Sequence, residues 1–276
     1  MELVKVAGPL ILAFIMFSLG VGLSLENFKK VITHPKDFFV GILSQVIFFP
    51  LVALCLILVF PIPIELKVGL MILAAAPGGV TTNIISKFAD GDVALSISLT
   101  AVISLLCFLT IPVIFSQTYP LITGQKLPFD YSIGSVILQI FLITTVPVIL
   151  GMIFKKLFPS FFSRTERIFV NFSFILFLIF LFIAIYQEID NILGYFAASG
   201  LITLVLNIVV VIIAFFLCRI FNIEKAPKRT ILIETGLQNG TLAIVVTGLI
   251  FSDPIYLVPT ATYALIMYAV IFFYII

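Results

Sequence analysis

The sequence predicts an all-α polytopic membrane protein: nine transmembrane helices, two of them broken, in one transporter domain spanning residues 1–276. Three observations carry this. First, 62% of the 276 residues are hydrophobic and only 10% are charged, against about 25% charged in an average soluble domain. One soluble core of this length cannot hide so much apolar surface. Second, the apolar residues fall into nine runs close to the ~20 residues a helix needs to cross the hydrocarbon core. Such runs exclude a transmembrane barrel, which would alternate over roughly ten-residue segments. Third, positive charge is lopsided once the runs are taken to alternate across the bilayer.

In order, the runs cover roughly 4–25, 37–60, 66–89, 92–116, 131–156, 167–188, 194–220, 228–251 and 254–276. Lys29, Lys30 and Lys36 follow the first run, Lys87 closes the third, and Lys155, Lys156, Arg164 and Arg167 lie between the fifth and sixth. Arg219, Lys225, Lys228 and Arg229 lie between the seventh and eighth. These twelve share one side; only Lys5, Lys67 and Lys126 fall on the other. The richer side is cytoplasmic, which places the N-terminus outside and the C-terminus inside. An integral protein of a bacterial inner membrane is expected. Its start, "MELVKVAGPL", has no basic region or small-residue cleavage site, so no signal peptide is expected. Trp is absent, so Tyr, Lys and Arg must anchor the interfaces. The polar connections near 117–130 and 157–166 are too short for a soluble domain. Cys55, Cys107 and Cys218 sit singly in apolar runs and read as small buried hydrophobes. His34, the only histidine, cannot form a metal cluster alone.

Two runs are interrupted. The third contains "AAAPGGVTTN", with Pro77, Gly78 and Gly79 in mid-run. Proline in a helix interior costs about 3 kcal/mol and each glycine about 1 kcal/mol. The eighth contains "ETGLQNG", residues 234–240, which reads as two half-helices meeting near 236–240. Each interruption lies in the next-to-last run of its half of the chain. Paired broken helices in corresponding positions point to the binding site of a secondary transporter. Half-helix N-termini offer N–H groups and a positive dipole end to an anion, and C-terminal carbonyls suit a cation.

Glu234 stands apart from the other twelve acidic residues, which lie in loops or at run ends. A charge at a helix centre costs about 2.5–3.5 kcal/mol on insertion scales, and the neighbouring runs offer no convincing basic partner. A bound cation or a proton is implied; the bland alternative is a protonated, hydrogen-bonded structural Glu.

These stretches, with "GDVALSISLT" at 91–100 and the segment from Met16 to Pro50, resemble the bile acid:sodium symporter family. The resemblance implies two inverted five-helix repeats, a panel and a core domain, and two broken helices crossing in the core. This chain resembles the nine-span variant lacking the first helix of repeat one, with repeat one near 4–116 and repeat two near 131–276. The resemblance places a first Na⁺ site on Thr82, Asn83, Ser96, Thr100 and Glu234. A second falls on Gln45, Gln238 and Glu234 with the carbonyls of Thr235 and Leu237. Bile-acid-binding members often carry a Trp-His-Asn triplet in the last span, where this chain reads "YALIMYAV". A smaller organic anion, pyruvate- or pantoate-like, is therefore expected, its carboxylate near Thr81, Thr82 and Asn239.

The function expected is sodium-coupled import of that anion by alternating access, with two Na⁺ and no obligate protein or nucleic-acid partner. The alternatives are a proton-coupled transporter of the same fold and an efflux carrier of a related one. No HExxH, Gly-x-Gly-Asp or intramembrane Ser/Lys pair suggests an enzyme.

Overall fold

The computed structural model describes residues 2–127, 132–186 and 192–275. The principal helices are α1 (Glu2–Gly22), α2 (Pro35–Val59), α3 (Ile64–Ala75), α4 (Thr81–Phe88), α5 (Val93–Thr123), α6 (Ile133–Leu157), α7 (Pro159–Tyr186), α8 (Ile192–Ile220), α9 (Lys225–Gly236), α10 (Gly240–Ile250) and α11 (Val258–Ile275). Among the described residues there is no strand; one isolated antiparallel bridge joins Gly78 to Gln238.

Five stretches are single helices long and apolar enough to cross a membrane: α2, α5, α6, Phe196–Ile220 and Pro254–Phe273. A sixth arises if Ala7–Gly22 and Leu25–Thr33, bent by 82°, count as one span. The third and eighth runs fall outside this set for a simple reason. Their pieces have 12, 8, 12 and 11 residues, and at 1.5 Å per residue none reaches roughly 30 Å alone. Many large apolar side chains point outward, Phe182 and Phe273 at 66% and 80% exposure among them, as a lipid-facing surface requires.

Two run boundaries differ from expectation. The fourth run continues as helix to Thr123 instead of stopping near 116, because the first left-handed residue is Gly124 at φ 69°. The hydroxyls of Thr118 and Thr123 bond back to Ile114 O (2.8 Å) and Tyr119 O (2.9 Å), which lets that polar end stay helical. The sixth run begins at Pro159, not 167. Proline suits a first helical position because its φ is preset and its missing N–H is not needed. The expected run ends at 131, 187–188 and 276 lie outside the described residues.

α2 and α6 both widen into a π-turn, at Leu43–Phe48 and Phe141–Thr145, just before Pro50 and Pro147. A proline ring clashes with the carbonyl one turn back, and an extra residue in the turn relieves it. The turn in α2 holds the buried Gln45.

α1 packs against α6 and α7, while α8 packs against α9 and α11, and α10 contacts α1, α3 and α11. Small residues permit the closest approach. A Cβ at Gly20 would run into the Val148 backbone, and one at Gly151 into the Phe17 carbonyl. Gly151→Leu should lower the melting temperature sharply, by an overpacking cost of about 3 kcal/mol. A wild-type melting curve for that variant would show that α1 and α6 are not held this close.

Candidate functional site

Both interruptions are real breaks, and they meet. Ala76 (φ −72°, ψ 153°) and Leu237 (φ −111°, ψ 119°) leave the helical region. The extended backbone then pairs antiparallel at Gly78 and Gln238, with Asn239 N–H donating to Pro77 O at 2.8 Å. Unwound backbone buried in a membrane protein must satisfy its polar groups internally. Here each break contributes to satisfying the other. Gly78 allows the approach: a Cβ there would lie 2.8 Å from both Gln45 Nε2 and Glu234 Oε2.

Glu234 lies on α9, one residue before the last pair of that half-helix, and is 1% exposed. Its Oε1 accepts from Thr82 Oγ1 (2.5 Å), Ser96 Oγ (2.5 Å) and Thr100 Oγ1 (3.0 Å), and Oε2 lies 3.2 Å from Thr100 Oγ1. No Lys, Arg or His pairs with it among the described residues. The cluster is short of protons. The Thr82 hydroxyl faces Gly79 O (2.8 Å) as well as Glu234, and the Ser96 hydroxyl faces Asn83 Oδ1 (2.8 Å) as well as Glu234. Each hydroxyl has one hydrogen for these acceptors. Oxygen lone pairs therefore crowd a buried space without enough hydrogens between them, the arrangement a small hard cation relieves.

A second oxygen group lies across the same backbone. Gln45 Nε2 donates to Glu234 O at 3.1 Å, and Gln45 Oε1 is buried with no partner. The Gln238 amide satisfies its surroundings when its NH₂ donates to Ala76 O (2.7 Å) and Pro77 O (3.0 Å). Its Oε1 then stands 3.4 Å from Thr235 O, acceptor against acceptor. Among the described residues no three His, Cys, Asp or Glu side chains cluster as metal ligands. One carboxylate with amide, hydroxyl and carbonyl oxygens suits a hard, weakly polarising cation better than a transition metal.

The starts of α4 and α10 share a cavity of about 60 Å³. Thr81, Gln238 and Asn239 line it, and Tyr268 closes one side with its hydroxyl 3.2 Å from Thr81 Oγ1. Asn239 Oδ1 caps α10 by accepting from Leu242 N–H at 3.0 Å, which leaves its NH₂ to donate elsewhere. Thr82 does not line the cavity; it is fully buried on the Glu234 side.

The family model described as the sodium bile acid symporter family matches residues 9–195. The chain belongs to that family. The match covers α1 to α7 and stops before Glu234, so the second break lies beyond it. An uncharacterized sodium-dependent transporter of Bacillus subtilis is 27% identical over 259 residues, covering 92% of this chain and 77% of the relative. A probable chloroplastic sodium/metabolite cotransporter of rice (Oryza sativa subsp. japonica) is 24% identical, covering 91% of this chain and 58% of the relative. The P3 protein of Mus musculus is 28% identical, covering 82% and 48%. The chain thus spans about half the length of the rice and mouse relatives.

Against this family background, the structure adds residues that run patterns did not single out. Ser44, beside Gln45, has its hydroxyl 2.8 Å from Thr235 Oγ1. Asn207 Nδ2 (2.8 Å) and the Tyr263 hydroxyl (3.0 Å) both donate to Gly236 O, the last carbonyl of α9. A lone Asn in the α8 run was the available signal, and composition alone gives it no partner.

Proposed function

We propose that this chain is a sodium-coupled secondary symporter that imports a small organic monocarboxylate by alternating access. The proton-poor oxygen cluster around Glu234, with no basic partner among the described residues, carries the reading. The sodium-dependent transporter and sodium/metabolite cotransporter named among its relatives support it.

In this reading all nine runs cross the bilayer, N-terminus outside, in a bacterial inner membrane. α1, α6 and α7 form the panel, and the remaining helices form a core built from inverted repeats near 4–116 and 131–276. One Na⁺ is held by Thr82, Asn83, Ser96, Thr100 and Glu234. A second is held by Gln45, Gln238 and Glu234 with the Thr235 and Leu237 carbonyls. The orphaned Gln45 Oε1 and the facing Gln238 and Thr235 oxygens support that second position. The charge of Glu234 is offset only when cations are present, so the paired breaks hold one geometry only then. That geometry sets the α4 and α10 starts around the anion, whose carboxylate lies at Thr81 and Asn239. Thr82, its hydroxyl engaged with Glu234, contributes by fixing the α4 start.

Uptake of labelled short monocarboxylates into proteoliposomes tests this directly. At fixed pH, uptake should need Na⁺ and vanish when choline replaces it. Equal uptake in choline, driven instead by a pH gradient, would overturn the sodium assignment. Gln45→Ala and Gln238→Ala should each raise the half-saturating Na⁺ concentration by roughly 5- to 20-fold, the loss of one buried polar ligand. An unchanged Na⁺ curve for both would remove the second ion from the scheme.

A further inference from the structure

The half-helix starts form one wall of the 60 Å³ cavity; α1 and α7 form the opposite one, through Ile15, Ser18, Val170, Ser173, Phe174 and Phe177. On α7, residues 170, 173, 177 and 180 follow the 3–4 spacing of an inward-facing helical stripe. Ser173 and Phe180 are buried, while Phe172 and Ile175 are about half exposed. A serine in such a stripe ordinarily bonds back to its own helix. Elsewhere in this chain that is what happens: Thr144 bonds Ile140 O (2.6 Å), Thr203 bonds Ser199 O (2.8 Å) and Thr262 bonds Val258 O (2.9 Å). Ser173 Oγ is buried and has no partner at all. Four hydroxyls share that condition among the described residues, on Ser104, Ser173, Thr247 and Thr260, and of these Ser173 alone lines the cavity. An orphaned buried hydroxyl costs about 1–3 kcal/mol unless something bonds it.

Building on the symporter reading above, we propose that Ser173 is a specificity-determining residue. It recognises a hydroxyl or oxo oxygen on the carbon chain of the substrate, while the carboxylate sits at Thr81 and Asn239. Three further features define the substrate class. The volume matches roughly four to six water-sized bodies, which admits an acid of three or four carbons and excludes a sterol skeleton. No Lys, Arg or His lines the cavity, so a second carboxylate would be left without compensation in a low-dielectric space. The phenylalanines, Ile15 and Val170 leave apolar surface for the remaining carbons. The substrate class is a short monocarboxylate carrying one hydroxyl or oxo group.

Sodium-driven uptake of labelled butanoate, 2-hydroxybutanoate, 3-hydroxybutanoate and 2-oxobutanoate into proteoliposomes gives the test. Wild type should prefer at least one oxygenated acid over butanoate by about tenfold. In Ser173→Ala that preference should fall to within about twofold, with butanoate uptake and the Na⁺ midpoint kept. Ser173→Thr, which keeps the hydroxyl, should restore much of the preference. If Ser173→Ala does not fold, Ser173→Cys carries the same comparison with a weaker donor. Sodium-dependent uptake that ignores the extra oxygen, or a preference surviving in Ser173→Ala, would overturn the role of Ser173 alone. Absence of sodium-dependent uptake for every acid in wild type would overturn the symporter reading and this inference with it.

Discussion

Glu234→Gln is expected to abolish sodium-stimulated uptake and the sodium-induced rise in melting temperature, while the purified protein still folds. The substitution keeps the volume and one carbonyl oxygen but removes the charge on which three hydroxyls converge. Their hydrogens then face a neutral amide, half of which is itself a donor. Cation affinity should fall by at least about 100-fold, on the order of 3 kcal/mol, as expected when a charged partner is lost from a buried cluster. Both cation groups use this residue, so no partial sodium response should remain. A variant that transports with the wild-type Na⁺ midpoint would show that the carboxylate has another task. The fold should survive because the apolar packing of α9, through Ile231, Leu232 and Ile233, is untouched.

The second large effect is expected at Gly78, through shape rather than charge. In Gly78→Ala, one added methyl meets Gln45 Nε2 and Glu234 Oε2, each at 2.8 Å, so both side chains must move. They belong to the two cation groups, and a single carbon displaces both. Half-saturating Na⁺ should rise at least tenfold, with a stability cost of about 1–3 kcal/mol from overpacking. Gly248→Ala is the control, because nothing lies within 4 Å of a Cβ there. A Gly78→Ala protein with an unchanged Na⁺ response would mean that the breaks tolerate separation. The close meeting of Gly78 and Gln238 would then be incidental to binding.

The calculation that identifies a membrane protein is local: residue counts, run lengths and the side on which each Lys or Arg falls. The breaks at 77–79 and 236–240 were equally legible, because Pro77 and the flanking glycines act on the backbone within one turn. Boundaries were less so. Pro159 starts α7 ahead of the first apolar residue of its run, and Gly124 rather than the end of hydrophobicity stops α5.

By itself, the sequence determined an all-helical membrane chain with two interrupted runs and one carboxylate far from any loop. Tertiary structure alone decided what surrounds that carboxylate. Thr82 and Ser96 reach Glu234 across 152 and 138 residues of chain, and no periodicity encodes such a meeting. The orphaned oxygens of Gln45 and Ser173 became visible the same way. A serine in an apolar run looks alike whether it bonds its own helix or faces a cavity. The physical reason is range: helix propensity and transfer free energy act within a few residues, while hydrogen-bond satisfaction depends on which helices pack together.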